Sequence, residues 1–287
     1  GGGGWGDPLE REAELVELIN DEDATVAAAV RRATPALAAA VDAIVDRLRG
    51  GGRLVYVGAG SSGRLAHVDA AECGPTFGTP PEQVTALVAG GATALAVAQE
   101  AAEDDGEAGA ADVAAAGVGA DDAVVLLSAS GSTPYVLGAA HTARTAGALT
   151  VAVVCNDGSE LGALADHAIV AVVGPEVIAG STRMKAGTAQ KLVLNTISTV
   201  TMIRLGKTFG NLMVDVVASN AKLRARARRA VTLATGAGDT EVDEALAASD
   251  GNVKVAIVSL LARVDAREAA ELLERSNGVV RDALAAR

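Results

Sequence analysis

Five short apolar runs, rich in β-branched residues and each closing on glycine or small polar residues, lie between positions 53 and 174. They read RLVYVGAG (53–60), VTALVAGG (84–91), AVVLLSASG (123–131), LTVAVVCND (149–157) and HAIVAVVG (167–174). Runs this short, separated by segments compatible with helix or loop, are the pattern of βαβ units. Strands this apolar need cover on both faces, which a parallel sheet with flanking helices supplies. The expected fold is α/β: a doubly wound, mostly parallel sheet over residues 48–210. N-terminal tail and helices are expected over 1–47, and a long helix plus a small C-terminal helical appendage over 211–287.

The flanks carry helical signals. Apolar residues recur at three- and four-residue spacing (Leu15, Leu18, Ile19, then Val26 and Val30) in a stretch running from Leu9 to Leu48. Asp21, Asp23 and Thr34-Pro35 are expected helix starts, and Gly50-Gly51-Gly52 a stop. Leu212 to Ala234 predicts one helix whose basic second half (Lys222, Arg224, Arg226, Arg228, Arg229) is read as a solvated face. From Glu241 onward about three short helices are expected, broken at Asp250-Gly251-Asn252, Asp265 and Asn277-Gly278. Gly1 to Gly4 read as a tail.

The 287 residues carry a net charge of −12, which argues against a nucleic-acid partner. A bound phosphate would have to be held by local devices such as hydroxyls and the free N–H groups of a helix start. Two cysteines, Cys73 and Cys155, make no disulfide framework. The most apolar long stretch, Thr188 to Leu205, contains Lys191 and Arg204 and reads as a buried helix, not a membrane span. With no charged-then-apolar leader at the start, a cytoplasmic setting is expected.

Two turns carry the chemistry. Gly58-Ala59-Gly60-Ser61-Ser62-Gly63 matches GxGxxG between a strand and a helix, the dinucleotide fingerprint. That fingerprint also wants a carboxylate at the end of the second strand, where this chain has Val88-Ala89-Gly90-Gly91. No nicotinamide cofactor is therefore expected, and no other cofactor or metal. What the turn does offer is Gly60, Ser61, Ser62 and Gly63 at a helix start. The same composition returns after the third strand as Ser128-Ala129-Ser130-Gly131-Ser132-Thr133. Ordinary helix capping would use the same residues. Two such turns in one sheet point instead to an anion site.

The second turn, S-x-S-G-x-T after a strand, resembles the signature of sugar isomerase (SIS) domains. Longer stretches resemble the N-acetylmuramic acid 6-phosphate etherases: VGAGSSGRLAHVDAAECGPTFG (57–78), AQEAAEDD (98–105), SASGSTPYVLGA (128–139) and GPEVIAGSTRMKAGTAQKLVLNTISTVTMIRLGKTFGNLMVDV (174–216). The resemblance covers about residues 13 to 287. Gly74 stands where a proline is usual, and Ser61 where threonine is common. The resemblance implies a phosphorylated amino-sugar substrate and a homodimer with sites near the subunit interface. The implied reaction releases D-lactate from sugar C3 by elimination and then adds water, with no metal needed.

By that resemblance Glu72 is the acid that protonates lactate and Glu103 the base at sugar C2. The small and apolar neighbours of Glu72 predict burial and a raised pKa. Ser181, Arg183 and Lys185, in a polar knot with Thr182, read either as cap and solvated charge or as substrate contacts. His67, His141 and His167 are scattered without metal-ligand spacing. An aldose–ketose isomerase and a non-catalytic sugar-phosphate sensor, similar to the glucokinase regulatory protein, are the alternative functions. Retention of both glutamates argues against the sensor.

Overall fold

A computed structural model describes residues 12–215 and 221–286. The Gly1–Gly4 tail and the expected helical start at Leu9 lie outside the described residues, as do positions 216–220 within the stretch predicted as one helix. In chain order the first elements are α1 (Glu12–Ala24), α2 (Val26–Arg32), α3 (Thr34–Arg49), β1 (Leu54–Gly58), α4 (Gly60–Phe77), β2 (Val84–Val88), α5 (Thr93–Ala96) and a 3-10 turn (Glu100–Asp104). Then come α6 (Gly106–Ala115), β3 (Ala123–Leu127), α7 (Pro134–Thr145), β4 (Leu149–Val154), α8 (Glu160–Leu164), β5 (His167–Val170) and α9 (Lys185–Arg204). The chain closes with β6 (Thr208–Phe209), β7 (Leu212–Met213), α10 (Ala221–Thr235), α11 (Asp239–Ala248), α12 (Val253–Ala262), α13 (Ala266–Arg275) and α14 (Val280–Ala285).

These elements form two compact units, one of residues up to Asp69 and Thr85–Ile197, the other of Ala70–Val84 and Ser198 onward. The first unit holds the five-stranded sheet, ordered β2-β1-β3-β4-β5, and its β1/β3, β3/β4 and β4/β5 ladders are parallel. All five expected strands form. Every residue of β1, β3 and β4 is buried, so both faces are covered, as continuous apolar strands require. One face takes Val55, Val57, Val124, Leu126, Ala152 and Val154 against Tyr135, Val136, Ala139, Ala140 and Ala143 of α7. On α3, Leu37, Ala40, Val41, Ile44, Val45 and Leu48 are buried, and the helix packs on β3, β4 and β5.

Polar clamps fix the strands. The Arg53 backbone N–H donates to Asp122 at 2.8 Å and its guanidinium to the same carboxylate at 2.7 Å, setting the β1/β3 register. Asp166 accepts from the N–H and hydroxyl of Thr150 at 2.9 and 2.8 Å. Buried Asp69 of α4 accepts from Tyr56 of β1 at 2.9 Å and from Asn195 of α9 at 2.7 Å, which aligns the helix that carries the first glycine turn.

The second unit is mainly helical, with a core of Val231, Val242, Ile257, Val258 and Leu272 among others. Asn252 and Asp265 cap α12 and α13 by accepting from Val255 and Glu268 N–H groups, at two of the expected breaks. Among the described residues four short helices follow Thr235, where about three were expected. Leu212 does not open a helix. Gly210, with φ +58°, and Asn211 make a two-residue loop between antiparallel β6 and β7. Short apolar runs do not by themselves separate strand from helix. Asp21 and Asp23 lie inside α1 instead of starting a helix, whereas Thr34-Pro35 does open α3. Among the described residues no single helix is long and apolar enough to cross a membrane, and Val193, Leu194, Ile197 and Met202 of α9 are buried.

Candidate active site

The strand order reverses between β1 and β3, because β1 is followed outward by β2 and β3 by β4. A parallel sheet opens a crevice at such a switch point, outside the carboxyl ends of its strands. The two glycine and hydroxyl turns follow β1 and β3, so both reach this crevice. The cavity there has a volume of about 300 Å³. It is lined by Ala59, Ser61 and Ser62 of the first turn, by Leu127, Ala129, Ser130 and Thr133 of the second, and by Glu103, Ser181, Thr182 and Arg183.

The first turn is tight for a steric reason. A Cβ on Gly63 would stand 2.6 Å from the Gly58 carbonyl oxygen and 2.7 Å from Val88 Cγ1, so the start of α4 packs directly on the sheet. Gly60 has φ +53°, and a Cβ there would lie 2.3 Å from Glu103 Oε1. Glycine at this position both makes the turn and leaves room for that carboxylate. The Ser62 hydroxyl is hydrogen-bonded at 2.8 Å to the side-chain amide of Gln190 on α9.

The second turn is organised around Ser128, which is 3% exposed. Its hydroxyl accepts from the Gly131 N–H at 3.0 Å and pairs with the Thr133 hydroxyl at 2.8 Å. Ser132 donates from both its N–H and its hydroxyl to the Ser130 oxygen, at 3.2 and 3.1 Å. Thr133 is the N-cap of α7 but makes no side-chain cap, and Pro134 follows it. The turn's hydroxyls are thus bonded to one another and not spent on the helix, which departs from the ordinary capping alternative.

Glu103 sits half-buried at the head of the acidic run before α6. Burial pushes its carboxyl above the ordinary glutamate range, Asp104 and Glu100 push the same way, and Arg64 pulls it back. Its neighbours have other tasks: Asp105 caps α6 by accepting from the Ala108 N–H at 2.9 Å. Arg183 is exposed at the rim and brings a positive charge to an acidic chain.

The structure therefore brings together Glu103, Ser61, Ser62, Ser130, Thr133, Ser181 and Arg183, with Gly60, Gly63, Ser128, Gly131 and Ser132 shaping the two turns. Lys185 is elsewhere. It is 2% exposed, and its ammonium meets Glu22 of α1 at 2.5 Å. The Glu176 carboxylate accepts from the N–H groups of Lys185 and Ala186, both at 3.0 Å, and so closes the start of α9.

Glu72 overturns the expectation of burial. The inward face of α4 is taken by Ala66, Asp69, Cys73 and Phe77, and Glu72 shares the outward face with exposed Val68, Ala71 and Pro75. It belongs to the second unit and does not line the cavity. Composition alone suggested burial because small and apolar neighbours surround it in sequence, but helical geometry sends them to opposite sides. His67 and His141 are exposed, and His167 lies on β5. Cys73 and Cys155 are buried and form no disulfide.

Sequence reasoning passed over Gln190, which is 1% exposed and touches Ser62. Its signal was present: a polar side chain between Ala189 and Val193 on the buried stripe of an apolar helix. Glu176 was also missed, since a carboxylate in a loop announces no cap until the helix start is known.

Comparison with known proteins gives the family and the fold. The family described as the glucokinase regulatory protein N-terminal SIS domain matches residues 36–144. The N-acetylmuramic acid 6-phosphate etherase of Streptomyces avermitilis is 60% identical over 273 residues, which cover 95% of this chain and 88% of that protein. Those of Mycolicibacterium smegmatis and Deinococcus radiodurans are 54% and 51% identical, with 92% and 91% of their lengths and 95% and 97% of this chain covered. Among solved structures, a phosphoheptose isomerase from Francisella tularensis aligns with a TM-score of 0.51 at 22% identity, over 66% of this chain and 98% of that one. That from Neisseria gonorrhoeae gives 0.50 at 21%, over 65% and 98%. At such identities the likeness of the solved structures concerns the fold alone.

Proposed function

Because the chain belongs to the family of N-acetylmuramic acid 6-phosphate etherases, it is a carbon–oxygen lyase acting on N-acetylmuramic acid 6-phosphate, and we propose that the switch-point cavity is where it works. The observation that carries this reading is the placement of Glu103, with its raised pKa, in one cavity with the hydroxyls of both turns. The Ser61, Ser62, Ser130 and Thr133 hydroxyls receive the phosphate, and Arg183 balances its charge.

The open-chain sugar presents an aldehyde at C1, which acidifies the proton on C2. Glu103 takes that proton, and the electron pair passes through the enolate to expel the oxygen at C3. By the family resemblance the acid that protonates the departing D-lactate oxygen, and so becomes a carboxylate, is Glu72, which does not line this cavity in the single chain and would meet the substrate only in the dimer proposed below. Glu72 then takes a proton from the water that adds at C3, while Glu103 returns a proton to C2. Both carboxyl groups end as they began, and the products are N-acetylglucosamine 6-phosphate and D-lactate.

Glu72 stands on an exposed face of the single chain, outside the cavity. We propose that the protein is a homodimer and that the second copy covers this face, where Val68 is 58% exposed beside Glu72. A cytoplasmic location accords with two cysteines that form no disulfide.

The test is D-lactate release from N-acetylmuramic acid 6-phosphate by the unmodified chain and by Glu103→Gln and Glu72→Gln. Each substitution should lower kcat at least ~100-fold, the usual weight of a general acid or base, with the melting temperature unchanged. Full activity in Glu103→Gln would remove the cavity from the reaction.

A further inference from the structure

Gln190 is a buried amide with one end unpartnered. Its Oε1 stands 2.8 Å from the Ser62 hydroxyl, which donates to it, while its Nε2 is buried without a partner among the described residues. In that arrangement the hydroxyl hydrogen points away from the cavity that Ser62 lines, and Ser62 offers an anion only lone pairs. The two ends of a carboxamide exchange places on a half-turn of its last torsion. With the amide turned, Nε2 donates to Ser62 Oγ and the carbonyl oxygen takes the unpartnered position. A buried carbonyl tolerates that better than a buried N–H does. The hydroxyl hydrogen is then free to point into the cavity. A bound anion favours this state further, because the Gln190 N–H, the Ser62 O–H and the anion form a chain polarised in one direction.

We propose that Gln190 is a positioning residue: it turns the Ser62 hydroxyl into a donor aimed at the phosphate of the substrate. The proposal rests on the phosphate-binding reading above. It does not require Gln190 to touch the ligand, and Gln190 does not line the cavity.

The experiment measures calorimetric dissociation constants of N-acetylglucosamine 6-phosphate and of inorganic phosphate for the full chain. The variants are Gln190→Met, Gln190→Glu, Ser62→Ala and the double substitution Ser62→Ala with Gln190→Met. Gln190→Met should weaken both ligands roughly tenfold, the scale of one hydrogen bond to a charged group. Gln190→Glu, an acceptor-only side chain of nearly the same shape, should weaken them more, because it fixes the hydroxyl hydrogen away from the cavity. In the Ser62→Ala background, Gln190→Met should change nothing further. An equal loss in both backgrounds, or a Gln190→Glu variant that binds like the unmodified chain, would overturn the proposal. Should Gln190→Met unfold, Gln190→Glu alone decides. Lactate release is measured separately. A chain that binds sugar phosphate with this coupling but releases no lactate would refute the etherase reading and leave the Ser62 orientation standing. A chain that binds neither ligand would refute both.

Discussion

Glu103 has to be ionised to take a proton from sugar C2, and its surroundings make ionisation harder. Burial is the main cause, Asp104 and Glu100 add to it, and Arg64 opposes it. As pH falls through this raised pKa the base is lost, so kcat/KM should fall at a higher pH than an ordinary glutamate would allow. Asp104→Asn removes a charge that raises the pKa and should move the acid limb to lower pH. Arg64→Met removes the charge that lowers it and should move the limb the other way. A limb that ignores both substitutions would mean that another group sets it. Glu103 itself was visible in the sequence only through family resemblance, since its acidic neighbours Glu100, Asp104 and Asp105 are chemically alike. Folding separates them: Asp105 caps α6 and Glu103 turns to Gly60.

The β1–α4 turn shows how an element holds such a residue. Gly63→Ala would drive a methyl into the Gly58 carbonyl and Val88, and should cost about 3 kcal/mol by urea denaturation, as overpacking does. Gly60→Ala should instead strike activity, because the methyl would occupy the place of the Glu103 carboxylate. Equal effects of the two on stability and on rate would contradict this division. Both glycines were legible as a motif, and so was every strand of the sheet, because buried parallel strands announce themselves as continuous apolar runs. The β6–β7 hairpin was not. Phe209 and Met213 belong to apolar stretches too short to show a period, and only Gly210-Asn211 marked the turn. Glu72 was misread for a related reason: its burial depends on which side of α4 it faces, and sequence neighbours do not report that.

At the scale of the whole molecule the chain divides into two units, and the second has its own polar anchor. Lys254 of α12 is 7% exposed, and Asp215 accepts from its ammonium at 2.6 Å and from that of Lys207 at 3.2 Å. Asp215→Asn would leave two facing ammonium groups without their carboxylate. The expected cost is about 2–3 kcal/mol, below that for a fully buried pair because the Asp215 side chain keeps 21% exposure. Denaturant midpoints should show it, with part of the loss recovered by Lys254→Met in the same background; an unchanged midpoint would make the cluster incidental. The sequence led to the expectation of a helical appendage over 211–287; the unit also takes in Ala70–Val84 and the residues from Ser198, which depends on contacts distant in sequence. The central claim concerns what the assembled molecule does to one carbon–oxygen bond, and isotopic labelling of the products tests it most directly. Turnover of N-acetylmuramic acid 6-phosphate in deuterium oxide and in oxygen-18 water should place one deuterium at C2 of N-acetylglucosamine 6-phosphate and oxygen-18 on its C3 hydroxyl. The released D-lactate should carry no solvent oxygen. Solvent oxygen in lactate, or unlabelled C2, would contradict elimination followed by water addition.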